Sequence, residues 1–198
     1  MKFLVIGNMN AITYKEIWPL IQADRMWVGT TGLNRDMVFA VPAGKVVADS
    51  DRAKAERLGY VGDFTCLRNT CWFTNLDHYR RHEPLSLLST EHNLRFTKVM
   101  AGKSGYDRYD NYDAIEVPQT KAIPSDHPGV MGVPISFLDK YCPEQFEIVG
   151  ALSAGALGEQ AGATYTEIET QGKTIMWNGA VVNRKGLYKR ILIRHRSI

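Results

Sequence analysis

The chain has 198 residues, of which 44% are hydrophobic and 23% charged, with a net charge of +3; this suits one domain with an ordinary globular core. No apolar run reaches the ~18 residues that span a bilayer, and the N-terminus turns polar too soon for a secretory signal. Three cysteines are an odd number for a disulfide framework, so a reducing cytoplasm is expected rather than a membrane or an extracellular setting.

Phe3-Leu4-Val5-Ile6, closed by Gly7-Asn8, is a continuous apolar run. That pattern predicts a strand buried on both faces in the middle of a parallel sheet. Thr13 with Glu16 forms a capping box for a helix reaching about Gln22, with Pro19 expected to kink or shorten it. Residues 25–29, 36–42 and 70–76 read as further strands, the last aromatic and β-branched. Beyond residue 84 the chain becomes turn-rich. Residues 114–117 and 146–150 predict strands, and residues 137–141 a short helix. Residues 174–179 and 187–193 predict two more strands around a turn near Asn183 to Gly186.

Charge is unevenly placed. After Glu169 no acidic residue occurs, whereas Lys173, Arg184, Lys185, Lys189, Arg190, Arg194 and Arg196 all follow it. Such a tail either attracts a polyanion or is a solvated edge whose cations discourage strand pairing.

Two motifs invite chemistry and fall short of it. Cys66, Cys71, His78 and His82 follow a C-x4-C-x6-H-x3-H spacing, whereas zinc fingers place about a dozen residues between the two pairs; no metal site is expected. Val149-Gly150-Ala151-Leu152-Ser153-Ala154-Gly155 follows a strand but is not G-x-G-x-x-G. Fewer than fifty residues remain after it to build a doubly wound sheet, so a loop is the expected reading.

The segment from Phe3-Leu4-Val5-Ile6-Gly7-Asn8 to Thr13-Tyr14-Lys15 resembles the stretch following the catalytic motif of EcoRI-type adenine-specific DNA methyltransferases. Trp72-Phe73-Thr74-Asn75-Leu76 resembles that family's later aromatic strand. Asn111 to Val117, Gly129 to Ile135 and Phe137 to Tyr141 continue the likeness in order. The family's Gly-rich S-adenosylmethionine loop and Asn-Pro-Pro-aromatic motif do not occur in these residues. The resemblance therefore implies the C-terminal half of such an enzyme. The fold class it implies is α/β, the trailing half of a Rossmann-like methyltransferase sheet (residues 1–83) followed by an irregular α+β target-recognition region (residues 84–198).

The implied activity is S-adenosylmethionine-dependent methylation of adenine N6 in DNA, with no catalytic or cofactor-binding residue in this chain. The alternative is a non-catalytic DNA-recognition subunit or remnant. Double-stranded DNA is the implied partner, together with a complementary chain carrying the missing motifs. Adenine's exocyclic amine is a poor nucleophile, because its lone pair is delocalised into the ring. Family enzymes flip the base out and accept its N–H bonds on the Asn-Pro-Pro-aromatic motif. By position, Trp72 or Phe73 would stack on that base, or both pack in the core as most strand aromatics do. Lys98, Lys103, Arg108, Lys121 and Lys140 are the candidate DNA contacts, with Tyr106, Tyr109 and Tyr112 interleaved.

Overall fold

The computed structural model describes residues 1–196. Its first part contains β1 (Leu4–Asn8), α1 (Trp18–Gln22), β2 (Trp27–Val28), β3 (Met37–Ala40), α2 (Asp49–Arg57), β4 (Phe64–Leu67) and β5 (Thr70–Thr74). There follow α3 (Thr90–Phe96), β6 (Ile115–Glu116), β7 (Met131–Pro134), β8 (Phe146–Leu152) and α4 (Ala156–Ala161). The last strands are β9 (Thr166–Thr170), β10 (Lys173–Trp177), β11 (Val181–Val182), β12 (Lys185–Gly186) and β13 (Arg190–His195). This is a mixed α/β fold with several sheets. A three-stranded sheet has the order β1-β5-β2, and a four-stranded sheet the order β6-β7-β13-β8. Three two-stranded ribbons complete it, β3-β4, β9-β10 and β11-β12.

Several local expectations are corrected. β1 is an edge strand, antiparallel to β5, rather than the middle of a parallel sheet. Leu4, Val5 and Ile6 are 55, 53 and 38% exposed, and among the described residues no strand pairs with the second edge of β1. The helix is shortened rather than kinked: α1 begins only at Trp18, with Pro19 in its first turn, where its missing N–H costs nothing. Thr13 closes a preceding 3-10 turn, Met9–Thr13, and caps no α-helix. The strands predicted at 174–179 and 187–193 do not pair with each other. β10 pairs with β9, and the turn at Asn183 and Arg184, both left-handed, joins β11 to β12.

β13 is buried on both faces. It lies between β7 and β8, antiparallel to each. Ile191 and Ile193 enter the larger core with Trp18, Phe73, Phe137 and Phe146. Leu192, pointing the other way, enters a smaller core with Tyr109, Leu152 and Val182. Strand alternation sends successive side chains to opposite faces, and an Ile-Leu-Ile run stabilises the fold only where both faces are covered. The larger core draws on residues from both parts of the chain, from Ile12 to Ile193.

Candidate nucleic-acid interface

Alternation along β5 separates the two aromatic candidates. Cys71 and Phe73 turn inward and are buried, Phe73 at 6% exposure within the larger core. Trp72 turns the other way and remains half-buried. Gly29 allows its placement: the Gly29 N–H donates to the Trp72 carbonyl at 2.8 Å, and a Cβ at Gly29 would lie 2.9 Å from that of Trp72. Trp72 lines an open cleft of about 760 Å³ together with Phe39, Tyr60, Asn34 and Arg35. Tyr60 is 44% exposed, and its ring lies 5.3 Å from that of Phe64. Asp36, on the same wall, is occupied by an ion pair with Lys54.

A second cleft, of about 730 Å³, shares Thr31, Asn34 and Arg35 with the first. Arg80 and Lys140 also line it, as do Ser86, Glu83 and Asp139. Arg80 donates to the Thr30 carbonyl, which fixes its guanidinium at the cleft wall. The Asp139 carboxylate accepts the Leu33 N–H at 3.1 Å, and burial raises its pKa above the ordinary carboxylate range. Leu85 is held in a reciprocal pair of bonds with the Gln145 amide, at 2.7 and 2.9 Å.

The other sequence candidates are dispersed. Lys103 pairs with Asp107 and Arg108 with Asp113, so two of the five cations are already partly neutralised. Lys98 and Lys121 are exposed on short 3-10 turns away from these clefts, and only Lys140 lines one. The interleaved tyrosines serve the fold. Tyr106 donates to the Ala122 carbonyl at 2.6 Å, and Tyr109 is buried against Glu116. The basic tail is largely tied down as well. Arg190, half-buried, pairs with Glu116, Arg194 pairs with Glu147 at 2.7 Å, and Arg196 donates to the Pro143 carbonyl at 2.6 Å. Asn34, Arg35 and Tyr60 lie on irregular segments and Arg80 on a 3-10 turn, Tyr79–His82, none within a motif, and sequence reasoning missed them.

The two motifs that fell short resolve into structure. Cys66 approaches the Asp51 carbonyl, His78 bonds the Val28 carbonyl at 3.0 Å, and His82 sits between Asp77 and Glu144. Among the described residues no cluster of three or more His, Cys, Asp or Glu could hold a metal, and no helix is long and apolar enough to cross a membrane. The Gly-rich turn after β8 is pinned rather than open. The Gly155 N–H donates to Asn178 Oδ1 at 2.8 Å, and Asn178 Nδ2 donates back to the Gly155 carbonyl at 2.9 Å. A Cβ on Gly158 would collide with the Asn178 carbonyl.

Comparison with known proteins accounts for nearly the whole chain. The family model described as adenine-specific methyltransferase EcoRI matches residues 1–196. The type II methyltransferase M.EcoRI of Escherichia coli is 43% identical over 150 residues, covering 75% of this chain and 42% of that protein. M.MpnI of Mycoplasma pneumoniae is 30% identical across 99% of this chain and 57% of its own length. M.MgeORF184P of Mycoplasma genitalium is 31% identical across 100% and 58%. The chain thus spans about half the length of the curated relatives it matches. No solved structure matches it. The expectation of a C-terminal remnant lacking upstream motifs is corrected by these spans, since the match runs from residue 1 to 196 and is not confined to one part of the chain. The chain belongs to the EcoRI family of adenine-specific methyltransferases.

Proposed function

We propose that this chain supplies the DNA-facing part of S-adenosylmethionine-dependent methyl transfer to adenine N6 at a short specific site, as part of a restriction–modification pair. Residues 1–83 then belong to the catalytic domain and residues 84–198 to the target-recognition region. The observation that carries this reading is Trp72, half-buried in an aromatic cleft while its neighbour Phe73 is consumed by the core. An enzyme acting on a base must take it out of the stack and hold it against a flat apolar surface, and Trp72 with Tyr60 offers one. The first sheet adds support. β1 and β2 each run antiparallel to β5 between them, an order compatible with the trailing part of a Rossmann-like methyltransferase sheet.

S-adenosylmethionine is the methyl donor that the family implies. The glycine-containing stretch at residues 150–155 does not fit it, because Gly150–Leu152 are part of β8 and the Asn178 side chain occupies the backbone N–H and C=O of Gly155. The Asn-Pro-Pro-aromatic acceptor does not occur among these residues, so activation of the amine is assigned to none of them. This chain's own residues bind and orient DNA. Titration of the purified chain with fluorescein-labelled duplex DNA at rising salt tests the reading. Affinity should fall with a log–log slope of roughly −3 to −6 as a handful of phosphate contacts release counterions. Absence of binding at low salt, or binding indifferent to salt, would overturn it.

A further inference from the structure

We infer that the cleft lined by Arg35, Arg80 and Lys140 is a phosphodiester site, holding the backbone of the nucleotide whose base lies against Trp72. The inference rests on the reading of Trp72 given above and adds the chemistry of the neighbouring cleft. Two open clefts meet along a shared wall of Thr31, Asn34 and Arg35. One presents aromatic faces from Trp72, Tyr60 and Phe39; the other presents three cations and the hydroxyls of Thr30, Thr31 and Ser86. A nucleotide has this same division, a flat base joined to an adjacent anion.

The charges are available for such a ligand. Among the described residues, no ion pair engages Arg35, Arg80 or Lys140. Arg80 is steadied by the Thr30 carbonyl at Nη1 and by the Tyr79 hydroxyl at Nε, 3.4 Å away, and the guanidinium keeps further N–H donors for a ligand in the cleft that it lines. Two carboxylates also line it, Glu83 and Asp139, and Asp139 already accepts the Leu33 N–H. Three cations against two carboxylates leave a net positive site, and hydroxyls beside guanidinium and ammonium groups are the ordinary composition of phosphate contacts on DNA. Aromatic stacking tolerates any base, whereas the cationic site fixes the strand's position. Arg35 stands at the junction, where it can hold the phosphate nearest the extruded base.

Two duplexes, identical except that one carries an unpaired adenine and the other an abasic position, separate the two clefts by fluorescence anisotropy on the full chain. Wild-type protein should prefer the adenine duplex, and Trp72→Ala should lose that preference while keeping the salt slope. Arg35→Ala and Lys140→Ala should each weaken both duplexes roughly three- to tenfold and lower the salt slope by about one. Arg95→Ala, a cation on α3 outside the clefts, should do neither. All these side chains except Trp72 are exposed, and matched thermal melting verifies that each variant folds. Wild-type affinity and slope in both cation variants, with the base preference still dependent on Trp72, would overturn the phosphate site and leave the Trp72 reading standing. Loss of slope with a base preference indifferent to Trp72 would overturn that reading, and with it the pairing of the two clefts.

Discussion

Glu116 receives the guanidinium of Arg190 side-on: Nη2 lies 2.8 Å and Nε 3.0 Å from Oε1, with Nε also 3.1 Å from Oε2. Glu116 is only 6% exposed, and the Tyr109 hydroxyl donates to its second oxygen. This contact fastens β13 to β6 across β7. Gly132 leaves room for the phenol, since a Cβ there would strike it. Removing one member of a buried ion pair strands the other charge, which costs about 3–5 kcal/mol. Glu116→Ala and Arg190→Ala should each destabilise the chain by roughly that amount in urea unfolding. The double replacement Glu116→Leu with Arg190→Met should recover most of the loss. Equal losses in single and double variants would contradict this account.

Trp72 and Phe73 should behave oppositely although they are adjacent. Phe73→Ala empties a core position and should cost about 3–5 kcal/mol, with DNA binding per folded molecule preserved. Trp72→Ala should cost far less stability and abolish base preference. Chemical denaturation paired with anisotropy on the same samples reads both, and identical stability losses would refute the division of faces along β5.

His82 bridges Asp77, at 3.0 Å, and Glu144, at 2.8 Å. Hydrogen bonds to Asp77, then to Glu144, raise its pKa above the ordinary value, and the bond from His82 lowers that of Asp77. The group is solvent-exposed, so the effect on stability is small. Its sign is defined: the contribution is fully present below the unfolded value of ~6.5 and is lost as pH rises through the raised folded value. NMR titration of the imidazole should give a midpoint above 6.5. The stability difference between wild type and His82→Asn should shrink as pH rises past that midpoint; a difference that grows with pH would refute the bridge.

Cys71 is fully buried beside Phe73, and desolvation pushes its thiol pKa up to about 12. A thiol that cannot ionise is a poor nucleophile. In the folded chain Cys71 should resist iodoacetamide at pH 8 and react once urea unfolds the protein, as peptide mass mapping would report. Prompt native labelling at Cys71 would mean that β5 opens on the timescale of the reaction.

How far these features could be read in the sequence depends on whether local pattern or distant partners decide them. The strand at residues 70–74 was legible because its β-branched and aromatic residues suit a pleat, and alternation then separated Trp72 from Phe73. α2 was not legible, since Asp49–Arg57 buries only Ala55 and offers no apolar period. The tail misled for a related reason. Its cations looked unpaired because their carboxylates, Glu116 and Glu147, lie 74 and 47 residues away. Apolar runs identified strands, but cover decides burial. Residues 3–6 and 191–193 have similar composition, yet only the latter gained a neighbour on each edge. Arg35, on a loop, and Arg80, on the 3-10 turn Tyr79–His82, line one cleft through tertiary packing, which no spacing encodes.

β1 should make the isolated chain prone to association. Val5 stands beside Phe73 and Ile6 beside Trp72 in the sheet register, so apolar side chains emerge on both faces. Among the described residues no strand pairs with its second edge, which therefore presents backbone N–H and C=O groups. A flat apolar edge of this kind is a template for another strand, and exposed apolar area adds a driving force that grows with concentration. Sedimentation velocity should show a rising weight-average mass as the protein is concentrated. Leu4→Lys places a charge on that edge at a position already 55% exposed. A lysine there loses its hydration if a second strand docks, whereas in the monomer it stays in water and costs little. The variant should therefore remain monomeric at concentrations where the wild type associates, with an unchanged melting temperature. Association that persists equally in Leu4→Lys would place the sticky surface elsewhere.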